Sequence, residues 1–228
     1  MPTPCLPECH DGHKSVAMNV RGLYAITPDL DDPDLLAAKV RLFLAGGGRL
    51  LLYRNKRANA DLKMRQAQLL RTLTCESGAC FIVNDDSALA FSVGADGVHL
   101  GRDDGHPQRI AQLRAESRGA AFIVGVSCYG DLARAREAVD HGADYVAFGS
   151  FFPSSTKPNA VRPEITLLRE ARLAIQVPIV AIGGITLDNA ATLIEAGADA
   201  IAVVTALFDA PDIATQTQRL TRLFPHHV

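Results

Sequence analysis

The sequence lacks an excess of charge, a long apolar run and a secretory signal, and each absence excludes a class of function. The 228 residues carry a formal net charge of -2, without a block of like charges, so neither a nucleic acid nor an anionic membrane is indicated as a partner. No apolar run reaches the roughly 20 residues of a membrane-spanning helix, and the N-terminus lacks the charged-then-apolar pattern of a signal peptide. We therefore expect a cytoplasmic protein that acts on small molecules.

The cysteines do not indicate a disulfide framework, because they are five in number and scattered along the chain. Near the N-terminus, Cys5, Cys9, His10 and His13 form a cluster of residue types that bind zinc. These four residues are closer together than the two ligand pairs of a usual zinc site, and they precede the first periodic segment. We expect residues 1–20 to be a disordered extension and residues 21–228 to form one domain, with zinc binding as the alternative for the cluster.

From residue 22 onward, short apolar runs alternate with helical segments, which is typical of βα units on a parallel sheet. Eight strands are predicted, at residues 22–26, 50–53, 81–83, 98–100, 122–126, 145–148, 179–182 and 200–203. Eight such units in about 200 residues predict an α/β fold, the (β/α)8 TIM barrel. A doubly wound open sheet is the alternative, but it does not require this even count.

Two local patterns support the repeated unit. The same junction, a helix-ending glycine followed by the start of a strand, occurs three times, as Gly94-Ala95-Asp96, Gly142-Ala143-Asp144 and Gly197-Ala198-Asp199. The first helix is predicted over residues 34–45. Its core face is predicted to contain Leu35, Leu36, Val40, Leu42 and Leu44.

A TIM barrel predicts where functional residues lie, because its active site is built from the loops that follow the strands. After the sixth strand, three hydroxyl side chains and an ammonium suit a phosphate or pyrophosphate; an ordinary polar surface loop is the alternative. These residues are Ser154, Ser155, Thr156 and Lys157. The residues after the seventh and eighth strands occupy the usual phosphate position of these barrels, and they are Gly183, Gly184, Val204 and Thr205. The sequence therefore predicts two anion sites.

A metal site is predicted among the charged residues at this end of the barrel. The cations Arg54, Lys56 and Lys157 follow strands that meet at one rim, and Asp85 and Asp104 face them. Carboxylates beside cations in a phosphate site favour a bridging Mg²⁺. The alternative is that these aspartates cap helices; Asp86 and Asp103 are the better candidates for that role, although their adjacency to Asp85 and Asp104 leaves the choice open. Two anions and a metal indicate a transfer reaction with pyrophosphate as the leaving group.

The motifs, taken together and in order, resemble those of the thiamine phosphate synthase family from Gly22 to Leu223. They are Tyr53-Arg54-Asn55-Lys56, Ile82-Val83-Asn84-Asp85, residues 94–104, Val124-Gly125-Val126-Ser127, residues 148–157, residues 180–185 and residues 202–206. The resemblance implies a TIM barrel that joins a hydroxymethylpyrimidine pyrophosphate to a thiazole phosphate, giving thiamine phosphate and pyrophosphate.

The resemblance also implies roles for single residues. The pyrimidine pyrophosphate would be held by Arg54, Lys56, Asn84, Ser127 and Lys157, with Tyr53 and Asn55 of the same motif beside them. Arg54, Ser127 and Lys157 would be catalytic, and Asp85 and Asp104 would bind Mg²⁺. The thiazole phosphate would be received by Ser154, Ser155, Thr156, Gly183, Gly184, Val204 and Thr205. No general base is required, because the aminopyrimidine can push electrons toward its methylene group and expel pyrophosphate before the thiazole nitrogen attacks.

One position departs from the family pattern. Leu52 stands where the family usually has a glutamine that hydrogen-bonds the pyrimidine, and a lost polar contact in a closed site costs about 1 to 3 kcal/mol. Arg102 adds a charge beside the metal residues. Two other functions stay open: a thiazole tautomerase-like relative, for which His99 would be the candidate acid or base, and a binding protein that has lost turnover through Leu52. A homo-oligomer is also left open.

Overall fold

The computed structural model describes residues 20–101, 104–117, 121–153 and 161–224, and within them eight parallel strands close into a barrel in chain order. The strands are β1 (Gly22–Ile26), β2 (Leu50–Tyr53), β3 (Cys80–Asn84), β4 (Gly97–Leu100), β5 (Ile123–Tyr129), β6 (Tyr145–Gly149), β7 (Ile179–Ile182) and β8 (Ala200–Val203). The last strand pairs with the first, so the sheet has no edge. The predicted TIM barrel is confirmed.

Helices follow the strands as the alternation predicts. They are α1 (Pro33–Ala45), α2 (Ala60–Ser77), α3 (Ser87–Ser92), α4 (Pro107–Glu116), α5 (Leu132–Asp140), α6 (Thr166–Ala174), α7 (Leu187–Glu195), α8 (Thr205–Phe208) and α9 (Ile213–Thr221). The sequence pattern does not predict α4 or α8. In α4 only Ile110 and Leu113 are buried, which is too few apolar positions for a clear helical period, and α8 is a single turn.

The core face of α1 differs from the prediction. Its buried residues are Leu36, Ala37, Val40 and Phe43, whereas Leu35 and Leu42 are 46% and 48% exposed. The reason is geometric: the stripe that a helix can bury repeats every three to four residues, and the five predicted positions spread beyond one such stripe.

Two apolar layers result from the alternation of side chains along each strand. One layer packs the outer faces of the strands against the helices. The other fills the interior of the barrel and includes Tyr24, Ile26, Leu52, Ile82 and Tyr145. Leu51 therefore faces the helices, while Leu52 lies inside the barrel with 3% of its surface exposed.

The three repeated glycine-alanine-aspartate junctions serve one structural purpose. Each glycine has a positive φ, of 64°, 98° and 113° in chain order, and each aspartate accepts a hydrogen bond from a backbone N–H of the preceding strand and pairs with an arginine of the helix that comes before that strand. The sets are Asp96 with Phe81 and Arg71, Asp144 with Val124 and Arg114, and Asp199 with Ile179 and Arg172. These clamps tie neighbouring βα units together at the end of the barrel opposite the predicted site.

Several predictions fall outside the described residues: the extension over residues 1–19, the cluster of Cys5, Cys9, His10 and His13, the pair Arg102 and Asp103, and the loop of Ser154, Ser155, Thr156 and Lys157. Val20, which was placed in the extension, instead packs inside the barrel with 2% exposure. Cys80 and Cys128 are free. No described helix has the length and apolar content needed to cross a membrane.

Candidate active site

Arg54 follows β2 and is held by two residues of the preceding βα loop. Its backbone N–H and C=O both hydrogen-bond the Thr27 hydroxyl, at 2.8 and 2.9 Å. Its guanidinium pairs with the Asp29 carboxylate, at 3.2 Å from Oδ1. Asp29 also accepts a hydrogen bond from the Lys56 backbone N–H at 3.1 Å. One carboxylate thus pairs with the Arg54 guanidinium and fixes the backbone of Lys56, and no pattern in the sequence indicates this role for Asp29.

Tyr53 and Asn55 have a different environment from Arg54 and Lys56. The Tyr53 hydroxyl donates to Gln66 Oε1 at 2.9 Å, and Asn55 Nδ2 approaches the same oxygen at 3.1 Å. Asn55 also accepts hydrogen bonds from the backbone N–H groups of Arg57 and Ala58. Burial raises the pKa of Tyr53, so its hydroxyl stays protonated. The polar groups of these two residues therefore order the loop that carries Arg54 and Lys56.

An open pocket lies between the ends of β2 and β3 and the start of α2. It is lined by Tyr53, Arg54, Asn55, Lys56, Lys63, Val83, Asn84, Asp85, Asp86 and Leu89. The first turns of α2 contribute Lys63, which sequence analysis missed because a lysine within a helix carries no signal of its own. Three cations thus share one pocket with the predicted metal ligand Asp85, an arrangement suited to a polyphosphate and a divalent cation.

The structure separates the two neighbouring aspartates after β3. Asp86 is the N-cap of α3, because its Oδ1 accepts a hydrogen bond from the Leu89 N–H at 2.9 Å. Asp85 does not cap a helix. It has a left-handed φ of 62°, its Oδ1 accepts from the Gly101 N–H at 2.8 Å, and its Oδ2 accepts from Asn84 Nδ2 at 2.6 Å. Each oxygen keeps a lone pair, so this oriented carboxylate can also bind a metal ion.

Asp104 lies in the loop that follows β4 and is exposed. The N-cap of α4 is His106, so Asp104 does not cap that helix. Gly101 connects the two aspartates, since it donates to Asp85 and accepts from the N–H of Gly105, next to Asp104, at 3.1 Å. The described residues contain no group of three His, Cys, Asp or Glu that could hold a metal. Two carboxylates suit Mg²⁺, which takes one or two of them together with substrate phosphates and water.

Ser127 on β5 is positioned from two sides. Its hydroxyl lies 2.9 Å from His99 Nε2, and its carbonyl accepts a hydrogen bond from Arg134 Nε at 3.0 Å. His99 itself is 8% exposed, and its Nδ1 lies 2.9 Å from the Tyr145 hydroxyl. Both ring nitrogens of His99 are thus engaged within the barrel.

The predicted second anion site brings two loops together. Gly183 and Gly184 have φ values of 105° and 62°, and a side chain on Gly183 would collide with Ser150. Backbone hydrogen bonds from Phe151 to Ile182 and from Phe152 to Gly183, at 3.1 and 3.0 Å, dock the loop after β6 against this segment. The glycines are therefore required for the close approach of the chain that leads into the hydroxyl loop.

Val204 and Thr205 follow β8 and open the one-turn helix α8. The first N–H groups of a helix have no intrahelical partner, and a short extra helix after the eighth strand is the usual phosphate-binding element of TIM barrels. Val204 is half-buried and Thr205 is exposed. Val204 and Thr205 therefore lie where the sequence predicts, directly after β8 and at the start of a short helix.

A closed barrel with a cationic pocket and two carboxylates at its mouth defines a phosphate-handling TIM-barrel enzyme. The model of the family described as thiamine monophosphate synthase matches residues 23–207. The chain belongs to this family, and the expectation from the motifs is confirmed.

Individual relatives are similar over nearly the whole chain. The thiamine-phosphate synthase of Azoarcus sp. (strain BH72) is 52% identical over 205 residues, covering 90% of this chain and 98% of that protein. The thiamine-phosphate synthase of Methylobacillus flagellatus is 51% identical over 205 residues, covering 90% of this chain and 96% of that protein. The solved structure of the thiamine phosphate pyrophosphorylase from Pyrococcus furiosus has a TM-score of 0.78 at 35% identity and covers 89% of this chain and 94% of its own.

Proposed function

We propose that this barrel is a transferase of thiamine biosynthesis, which joins a hydroxymethylpyrimidine pyrophosphate to a thiazole phosphate and releases pyrophosphate. Family membership gives the reaction, and the observation that carries the site is the pocket shared by Arg54, Lys56, Lys63 and Asp85. Both substrates are small molecules. We place the enzyme in the cytoplasm as part of this proposal.

The cationic pocket is the proposed site of the pyrophosphate group. Arg54, Lys56 and Lys63 would face its charge, Asn84 lines the same pocket, and Ser127 on β5 would supply a further neutral donor. Lys157, which lies outside the described residues, is proposed as a further cation. Since charge builds up on the departing pyrophosphate as the carbon–oxygen bond breaks, donors that are already oriented stabilise the transition state.

Asp85 and Asp104 are the proposed protein ligands of Mg²⁺. The donor set fits the ion, because Asp85 is oriented by Asn84 and Gly101 with lone pairs left over, and Asp104 makes no hydrogen bond or ion pair to another described residue. When bound, the ion would supply positive charge that neutralises the pyrophosphate oxygens.

The thiazole phosphate is proposed to bind on the opposite side of the mouth. Gly183, Gly184, Val204 and Thr205 would offer backbone N–H groups, and the loop of Ser154, Ser155 and Thr156 would offer hydroxyls. This arrangement holds the thiazole ring against the pyrimidine while its phosphate is anchored away from the departing group. Positioning of this kind can supply a large part of the barrier reduction.

No step of the proposed reaction needs a protein base. The carbon–oxygen bond breaks as the aminopyrimidine donates electrons toward its methylene carbon, and the thiazole nitrogen then forms the new carbon–nitrogen bond with its lone pair. His99, the candidate acid or base of a tautomerase, is engaged by Tyr145 and Ser127 through both ring nitrogens. The similarity to thiamine-phosphate synthases supports the synthase over a proton-transfer enzyme.

Product formation from the two substrates, with and without Mg²⁺, tests this function. We expect thiamine phosphate only with Mg²⁺ present. If the wild type is inactive while Leu52→Gln forms product, the chain is a binding protein that lost turnover through Leu52. If neither forms product, the synthase assignment is wrong.

A further inference from the structure

A chain of four hydrogen-bonded side chains crosses the interior of the barrel. The Tyr24 hydroxyl lies 2.8 Å from the Tyr145 hydroxyl, which lies 2.9 Å from His99 Nδ1, and His99 Nε2 lies 2.9 Å from the Ser127 hydroxyl. The residues come from β1, β6, β4 and β5. Tyr24 and Tyr145 are 2% and 0% exposed, so the chain connects the buried interior to Ser127 at the mouth.

One glycine, Gly125, provides the space that this chain of hydrogen bonds needs. Tyr145 and Gly125 are register partners on β6 and β5, and a side chain on Gly125 would collide with the Tyr145 ring. The ring crosses the space above the glycine and stacks on His99, with centroids 5.5 Å apart and an interplanar angle of 21°. The stacked rings fix the direction in which His99 presents its nitrogens.

The direction of the hydrogen bonds decides what Ser127 can do. A neutral imidazole has one N–H donor and one acceptor nitrogen. If Nε2 accepts the Ser127 proton, the hydroxyl can only accept at the mouth of the barrel. If Nε2 donates to Ser127, the serine proton is available, and this is the only state in which Ser127 can donate to an anion that has no proton of its own.

We propose that Tyr145 and His99 are positioning residues that hold Ser127 as a hydrogen-bond donor toward the leaving pyrophosphate. In this arrangement Tyr24 donates to Tyr145, Tyr145 donates to Nδ1, and the Nε2–H of His99 donates to Ser127. The inference rests on the proposed function, because it assigns pyrophosphate to Ser127. Burial raises the pKa of both tyrosines, so both keep the proton that the chain needs.

The first test reads the tautomer of His99 directly and needs no turnover. ¹⁵N NMR of the full chain, saturated with inorganic pyrophosphate and Mg²⁺, should show a protonated Nε2 and an unprotonated Nδ1 for this residue, which the His99→Gln variant identifies among the seven histidines. A ring protonated on Nδ1 alone, or on both nitrogens, would overturn the proposal. A correct tautomer in a protein without synthase activity would support the hydrogen-bond chain and would place the failure in the proposed function.

The second test separates positioning from mere packing. Tyr145→Phe should weaken inorganic pyrophosphate binding by about tenfold, a factor typical of one lost hydrogen bond, with a smaller effect on thiazole phosphate. Tyr24→Phe is the matched variant, because it removes an equivalent hydroxyl that lies one hydrogen bond further from His99. It should weaken pyrophosphate binding less, since Tyr145 can still donate its hydrogen bond to Nδ1 of His99. Equal losses in the two variants would contradict the proposal.

A double substitution completes the test. In a Ser127→Ala background, Tyr145→Phe should produce no further loss of pyrophosphate affinity, because the hydroxyl that it controls is gone. If Tyr145→Phe costs the same factor with and without Ser127, its role is structural and the proposal is wrong. Circular dichroism on each variant checks that the barrel is folded.

Discussion

The neighbouring residues Asp85 and Asp86 allow one prediction that separates catalysis from stability. Asp85 lines the pocket and its two oxygens accept hydrogen bonds from Gly101 and Asn84 at 2.8 and 2.6 Å, while Asp86 caps α3 through the Leu89 N–H. Asp85→Asn removes the negative charge that we assign to Mg²⁺ and keeps the shape. We expect turnover to fall by at least about a hundredfold, which corresponds to about 2.7 kcal/mol of lost transition-state stabilisation.

The matched variant is Asp86→Ala. Removal of an N-cap side chain costs about 0.5 to 2 kcal/mol of stability, so urea unfolding should shift by that amount while the Mg²⁺ dependence of turnover stays unchanged. Asp85→Asn should cost less than about 1 kcal/mol in the same unfolding experiment, because the amide oxygen can still accept from Gly101. The assay is product formation over a Mg²⁺ titration. The assignment is refuted if Asp86→Ala shifts that titration or if Asp85→Asn leaves it unaltered.

Three further predictions address other parts of the molecule. Lys63→Ala should raise the KM for pyrimidine pyrophosphate about fivefold, which corresponds to roughly 1 kcal/mol for a half-buried charge–anion contact, and this effect should shrink at high salt. The control is Arg65→Ala, on the same helix but away from the pocket lining, which should leave the KM unchanged. Equal effects of the two substitutions would contradict the role of Lys63. Asp199→Asn should lower the free energy of unfolding by about 1 to 3 kcal/mol, because the 8%-exposed carboxylate holds both Arg172 and a backbone N–H; an unchanged urea midpoint would show that the clamp is not needed. Leu52→Gln should raise kcat/KM for the pyrimidine substrate about tenfold, measured under the same Mg²⁺ conditions, and a fall would contradict the proposed contact.

The architecture was predictable because the barrel strands are short apolar runs bounded by glycines and polar residues. The closing of eight such units needed no side-chain detail. The details of helix packing were not predictable, since apolar content alone did not show that Phe43 and not Leu42 of α1 faces the strands. The rim positions of Asn84, Ser127 and Gly183 followed from the rule that the C-terminal ends of the strands and the loops after them carry the site.

The contacts within the rim were not predictable from residue types. Asp29 lies in a stretch with Asp31, Asp32 and Asp34, and only the fold shows that it turns toward Arg54. Asp32 instead caps α1. In the same way, Asp85 and its neighbour are chemically identical in the sequence, and the left-handed φ of 62° at Asp85 distinguishes their roles. A short-range pattern identifies carboxylates near a site, but long-range backbone geometry decides where each one points.

The interior of the barrel is divided chemically, and this division explains why Leu52 is a decisive position. On one side, Tyr145, His99 and Ser127 form a polar path to the mouth. On the other, Leu52 pairs in register with Ile26 and Ile82, and all three belong to the same apolar cluster. A glutamine introduced at position 52 would find no hydrogen-bonding side chain on its two register neighbours. We expect the bound pyrimidine to be the hydrogen-bond partner of its amide, so that Leu52→Gln raises the affinity for the pyrimidine substrate.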